Sequence, residues 1–184
     1  MKINRFEELL ASHCAPALLG IKPANLISVG KDVADIHKEV ERFNKKAAAK
    51  RLRMKIMCEC GKKALVLVYN ERLMEKQLHE QERLDILQSC GYDGYCTDEL
   101  LDELAQRLSQ GGDFPHEIGV FLGYPVHDVV GFMEKQSFVF SGYWKVYDDE
   151  ERARRVFANY TKCRRFLCGK LSDGMGIYEA IKIS

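Results

Sequence analysis

Three stretches of this chain hold the side chains best suited to chemistry. They are His13, Cys14 and Lys22 in HCAPALLGIKP, His116 and Glu117 in DFPHEIGVFLGYP, and Lys145 between Tyr143 and Tyr147 in GYWKVY. A thiol attacks only as the thiolate, which a neighbouring base or cation promotes. Cys14, beside His13 in a proline-containing loop, therefore reads as a nucleophile or redox thiol, with His116 as its base or orienting group and Glu117 as the partner of His116. Lys22 and Lys145 would bind an anionic ligand, with Tyr124 and Tyr143 as further contacts.

Metal binding would have to draw on His116, Glu117, His127 and Asp128. Adjacent residues on a helix point apart and the two histidines fall on separate helices, so the usual helical ligand spacings are not met and no metal site is assigned. Seven cysteines, an odd number with no paired CxxC, argue for reduced thiols serving mostly as small core residues. No motif assigns a cofactor, a substrate or a reaction.

The elements that would position these groups follow from periodicity. Residues 4–12 form an amphipathic helix, after which Pro16, Gly20 and Pro23 interrupt regular structure, leaving Ala17 to Ile21 and Leu26 to Val29 as short strands. Asp32 caps a helix carrying Val33, Ile36, Val40 and Phe43, and the Lys- and Arg-rich run 45–55 continues it to Gly61. ALVLVY, residues 64–69, is a strand buried on both faces. Asn70 caps a helix that runs to Gly91, and Thr97 caps another that Gly111 and Gly112 stop. FVFSGYWKVY alternates as a strand, and Asp148 or Asp149 caps a long helix on which Cys163 reads as core. The tail 177–183 is a short helix or an edge strand. Strands interleaved with helices give an α/β fold, a single layered domain over residues 1–184 with a small mixed sheet covered by helices.

Between Asp113 and Lys135 the pattern is that of two short helices around a Gly123-Tyr124-Pro125 turn, a helix-turn-helix-like pair at about 114–135. Pro115 in the first turn places His116 and Glu117 at the positive end of the first helix, which favours a neutral imidazole. Gly119 and Gly123 share a side with His116, open to close approach by a backbone or a ligand. In the second helix Val126, Val129, Val130 and Met133 face inward, whereas His127, Asp128 and Gly131 do not. DNA binding is disfavoured, because that second helix offers no basic residue before Lys135.

Composition narrows the classes further. With 28 basic against 27 acidic residues the chain has no global field drawing it to nucleic acid or acidic lipid. It has no apolar run long enough for a membrane span and no secretory signal pattern, so the expectation is a cytoplasmic protein.

FPHEIGVFLGYPVHDVVGF, SHCAPALLGIKPANLISV, SGYWKVY and FANYTKC together resemble a bacterial family of unknown function, domain of unknown function 3793, found mainly in anaerobic Gram-positive bacteria. The resemblance implies no activity, since the family has none assigned, but it implies genomic neighbours of flavodoxin-like or iron-uptake type. It places recurrent polar positions on His13, Cys14, Lys22, His116, Glu117, Asp128 and Lys145. Others fall on Pro16, Gly119, Gly123, Tyr124, Pro125, Gly131, Tyr143, Trp144, Tyr147 and Cys163, and His127 lies outside the set. Two readings compete ahead of DNA binding. One is a thiol- and histidine-containing pocket that binds or processes a small anionic ligand. The other is a non-catalytic module for a redox or iron-handling partner such as a flavodoxin-like protein, docking through Tyr143, Tyr147 and the arginines near 154 and 165.

Overall fold

A computed structural model describes residues 4–111 and 114–182. The chain opens with α1 (Arg5–His13), whose N-cap Asn4 accepts from the Phe6 amide, and α2 (Ala15–Leu18), which follows directly. The segment expected as a strand from Ala17 to Ile21 is instead the end of α2 and the turn that follows it. Pro16 sits in the first turn of α2, where a missing amide hydrogen costs nothing.

Next comes β1 (Ala24–Gly30), then α3 (Ile36–Ala47), capped by Asp35 rather than Asp32. The basic run does not continue as helix. A 3-10 turn over Ala48–Lys50 ends at Arg51 in the left-handed region (φ 53°), and β2 (Leu52–Cys60) follows. In β2 Leu52 and Met54 are buried, with Arg53 between them only partly so, which is a strand period that the Lys/Arg/Ala composition upstream conceals. β3 (Lys63–Asn70) is the central strand of an antiparallel sheet ordered β1-β3-β2. A bulge at Met57 interrupts the β2 register between Ile56 and Cys58.

Covering both faces explains why β3 reads as an unbroken apolar run. Ala64, Val66 and Val68 face one core with α1, α2 and α3, and Leu67 and Tyr69 face the other. That second core is built by α4 (Glu71–Leu78), α5 (Gln81–Ser89), α6 (Thr97–Ser109), α7 (Ile118–Phe121) and α8 (Val126–Met133). The helix expected from Asn70 to Gly91 is therefore two, broken at His79 and Glu80, although Asn70 does cap the first by accepting from the Leu73 amide. Cys96, not Thr97, occupies the N-cap of α6.

Strands β4 (Phe140–Ser141) and β5 (Lys145–Val146) form a short antiparallel hairpin, followed by α9 (Glu150–Ser172), capped by Asp149, and α10 (Ile177–Ala180). Trp144, Val146, Ala153 and Tyr160 make a third cluster between hairpin and α9. Small sheets covered by helices in one layered domain match the expected class, with every strand pairing antiparallel.

Candidate functional site

The site begins with Asp128. Expected to face away from the core, it is buried at the start of α8, where one carboxylate oxygen accepts the Trp144 indole N–H (2.6 Å) and the other the Tyr147 amide (2.7 Å). Gly131, one turn on, lies so close to Tyr147 that a Cβ there would meet its ring at 2.6 Å. These contacts seat the hairpin on α8, so the face of α8 that carries Asp128 and Gly131 is covered. The helix-turn-helix-like pair is accordingly a one-turn α7 and a two-turn α8 closed on one side.

Between hairpin, α7 and α8 lies a cleft of about 350 Å³. Phe114, Ile118, Leu122, Val129 and Phe132 supply apolar wall, Tyr124 and Trp144 an aromatic one, and His116 and Lys145 the ionisable groups that remain available. Tyr124 and Trp144 stack with centroids 4.9 Å apart. The His116 ring meets the Phe132 ring edge-on at 5.0 Å, and the Lys145 ammonium rests 5.3 Å from the Phe132 centroid and 5.2 Å from that of Phe138. Asp128 also lines the cleft, but its oxygens are occupied by Trp144 and Tyr147.

Three of the residues expected in one pocket, His116, Tyr124 and Lys145, do share this cleft. The others are placed elsewhere. His116 and Glu117 precede α7 in a turn instead of starting a longer helix, so four helical residues supply little dipole, and Asp113 lies outside the described residues. Glu117 turns away from His116 into the second core. There its Oε1 accepts from the Tyr92 hydroxyl (3.0 Å) and lies 3.6 Å from Nη1 of Arg107. Burial, reinforced by this carboxylate, pushes the Tyr92 phenol far up.

Cys14 is 0% exposed at the junction of α1 and α2, in the first core with Phe6 and Leu10, while His116 borders the second core. Burial drives the Cys14 thiol well above the usual range, the opposite of an activated thiol. His13 is exposed at the end of α1, because successive residues on a helix point in different directions. Tyr143 is half-exposed beyond the cleft, its hydroxyl 3.2 Å from the Thr161 hydroxyl.

The glycine side expected to be open is packed. A Cβ on Gly119 would meet Val129 at 2.9 Å, and one on Gly123, at φ +72°, would meet Pro23 at 2.4 Å. Gln77 seals the end of α7 from α4, donating to the Val120 and Phe121 carbonyls at 2.9 Å.

Among the described residues no group of three or more His, Cys, Asp or Glu is arranged to hold a metal ion, and no described helix is long and apolar enough to cross a membrane. Compared with protein families, residues 10–181 match the model described as "Protein of unknown function (DUF3793)". The chain belongs to this family. The matched DUF3793 region takes in Cys14, Lys22, the whole cleft and the hairpin. No curated protein and no solved structure matches the chain.

The sequence alone marks neither Asp128 as the anchor nor Trp144 as cleft wall. The signal was an acid in the first turn of an apolar helix, 16 residues before the only tryptophan.

Proposed function

We propose that this protein is a binding module for a small organic acid with an apolar or aromatic body, held in the cleft between α7, α8 and the β4–β5 hairpin. The observation that carries this reading is Lys145 at an aromatic-lined cleft, its ammonium between the Phe132 and Phe138 rings. An apolar cleft of about 350 Å³ with a few polar groups matches the size and composition of small-molecule sites. Lys145 would pair with the carboxylate, His116 would donate a hydrogen bond, and the Tyr124–Trp144 stack would receive the apolar body. Cys14, outside the cleft and held as a thiol, has no part in it.

The chain's single tryptophan lines the cleft and so reports on it. Trp144 emission, excited at 295 nm, should change saturably as 4-phenylbutyrate is added, with a Kd on the order of 0.1–1 mM for a ligand of this size. The neutral amide, and the acid against Lys145→Met, should each bind at least about fivefold more weakly. Equal affinities for acid and amide would remove the anion from the proposal, and a flat titration would remove the cleft.

A further inference from the structure

Lys22 stands behind the cleft rather than in its lining. The bend between α2 and β1 buries it to 3% exposure, its ammonium 5.1 Å from the Tyr124 centroid and 5.7 Å from that of Tyr160. No carboxylate among the described residues pairs with it. A buried lysine normally recovers part of its desolvation from a carboxylate. Here aromatic faces take that place, and one of them, Tyr124, is stacked on Trp144.

We infer that Lys22 is the positioning residue of the cleft wall: its cation, held against Tyr124 and Tyr160, fixes Tyr124 and the Trp144 ring stacked on it, so that discharging Lys22 loosens the wall. Among the described residues the titratable groups set against this cation are neutral, and Arg83 of α5, which donates to the Tyr124 carbonyl (3.0 Å), adds a charge that does not change in this range. The α1–α2 junction contributes Cys14, the turn after α7 contributes Tyr124, and α9 contributes Tyr160 and Cys163, with Tyr143 of the hairpin against Tyr160. Burial raises the thiols of Cys14 and Cys163 and the phenols of Tyr124 and Tyr160, which keeps them protonated, while it brings Lys22 down to about 8. Around pH 8 Lys22 is therefore the group of this cluster that changes charge. The loosening needs no assumption about the ligand; only its effect on affinity rests on the proposed cleft function.

The test uses the full chain without ligand. Trp144 emission of the native protein should pass through a transition centred near pH 8, absent from Lys22→Met and from Lys22→Arg, whose guanidinium stays charged. The same transition persisting in Lys22→Arg would overturn the inference, as would a native protein without one. For 4-phenylbutyrate at pH 7, Lys22→Met should bind about fivefold more weakly and Lys22→Arg close to the native value. Arginine failing to rescue, or methionine binding as tightly as lysine, would contradict the positioning role. If native protein does not bind the acid at all, the cleft proposal fails while the ligand-free transition still decides Lys22. Should either variant not fold, NMR of ε-13C-labelled lysine in native protein supplies the reading. One lysine titrating near pH 8 together with the Trp144 indole signal supports the inference, and an indole signal unmoved by that titration overturns it.

Discussion

The indole N–H of Trp144 donates to the buried carboxylate of Asp128 at 2.6 Å, joining the hairpin to α8 across 16 residues of sequence. The same carboxylate accepts the Tyr147 amide and, at 3.4 Å, the Asp148 amide just before α9 begins. A single acid thus fixes one wall of the cleft and the entry to the longest helix.

Asp128→Asn keeps the shape but has only one oxygen for donors that now use two, so at least one buried donor loses its partner. Such an orphaned donor costs about 1–3 kcal/mol. Urea unfolding should show a loss in that range, and native Trp144 emission should shift to the red as the indole gains access to water. An unchanged midpoint and spectrum would mean that Asp128 is not the anchor.

Gly131→Ala tests the same junction by steric means. The added methyl would sit 2.6 Å from Cγ of Tyr147, and overpacking of this kind costs about 1–3 kcal/mol. Gly169→Ala, where a Cβ meets nothing within 4 Å, should be neutral or slightly stabilising in helix α9. Thermal melts of the two variants should separate clearly, and equal melting points would contradict the packing described.

Lys22 imposes a pH dependence on stability. Its folded value, lowered to about 8 from 10.5, means that the folded state gives up its proton first while the unfolded chain stays charged. Below pH 8 both states are charged and the full cost of burying the cation is present. From about pH 8 upward the unfolded state binds more protons, so this group makes folding more favourable as pH rises. Between pH 7 and 9 native protein should gain about 1 kcal/mol relative to Lys22→Met in urea unfolding. Comparing the two cancels the opposing effect of Cys14, whose raised folded value removes stability above about pH 9, the ordinary thiol value.

Thiol labelling should sort the seven cysteines by environment. Cys60 and Cys96 are exposed and should react with iodoacetamide first, whereas Cys14, buried and held as a thiol, should react only on unfolding. Peptide mapping after partial labelling reads this directly. Rapid modification of Cys14 in folded protein would revive the nucleophile that sequence suggested.

Much of the fold is legible in local chemistry. Asn70 and Asp149 cap the helices expected of them, and ALVLVY is the doubly buried strand, because these depend on a few neighbouring residues. β2 was hidden because its Arg and Lys extend the helix-favouring composition before it, and only its pairing with β3 decides the matter. The candidate site was legible in part for the same reason. His116, Tyr124 and Lys145 line one cleft, but whether Glu117 turns toward His116 or toward Tyr92 depends on the turn between α5 and α6 and on Arg107 of α6. Cys14 and His13 look alike on paper as loop residues, yet one turn of helix sends the first into the core and the second to the surface.

The most direct test of the central claim is the indole Nε1–H signal of Trp144 in a 15N–1H NMR spectrum, unique because the chain has one tryptophan. Its ring lines the cleft, so a bound aromatic acid must change its environment. Titration with 4-phenylbutyrate should move this signal saturably in native protein and much less in Lys145→Met. A signal that stays in place up to about ten times the expected Kd of on the order of 1 mM would contradict ligand binding in this cleft.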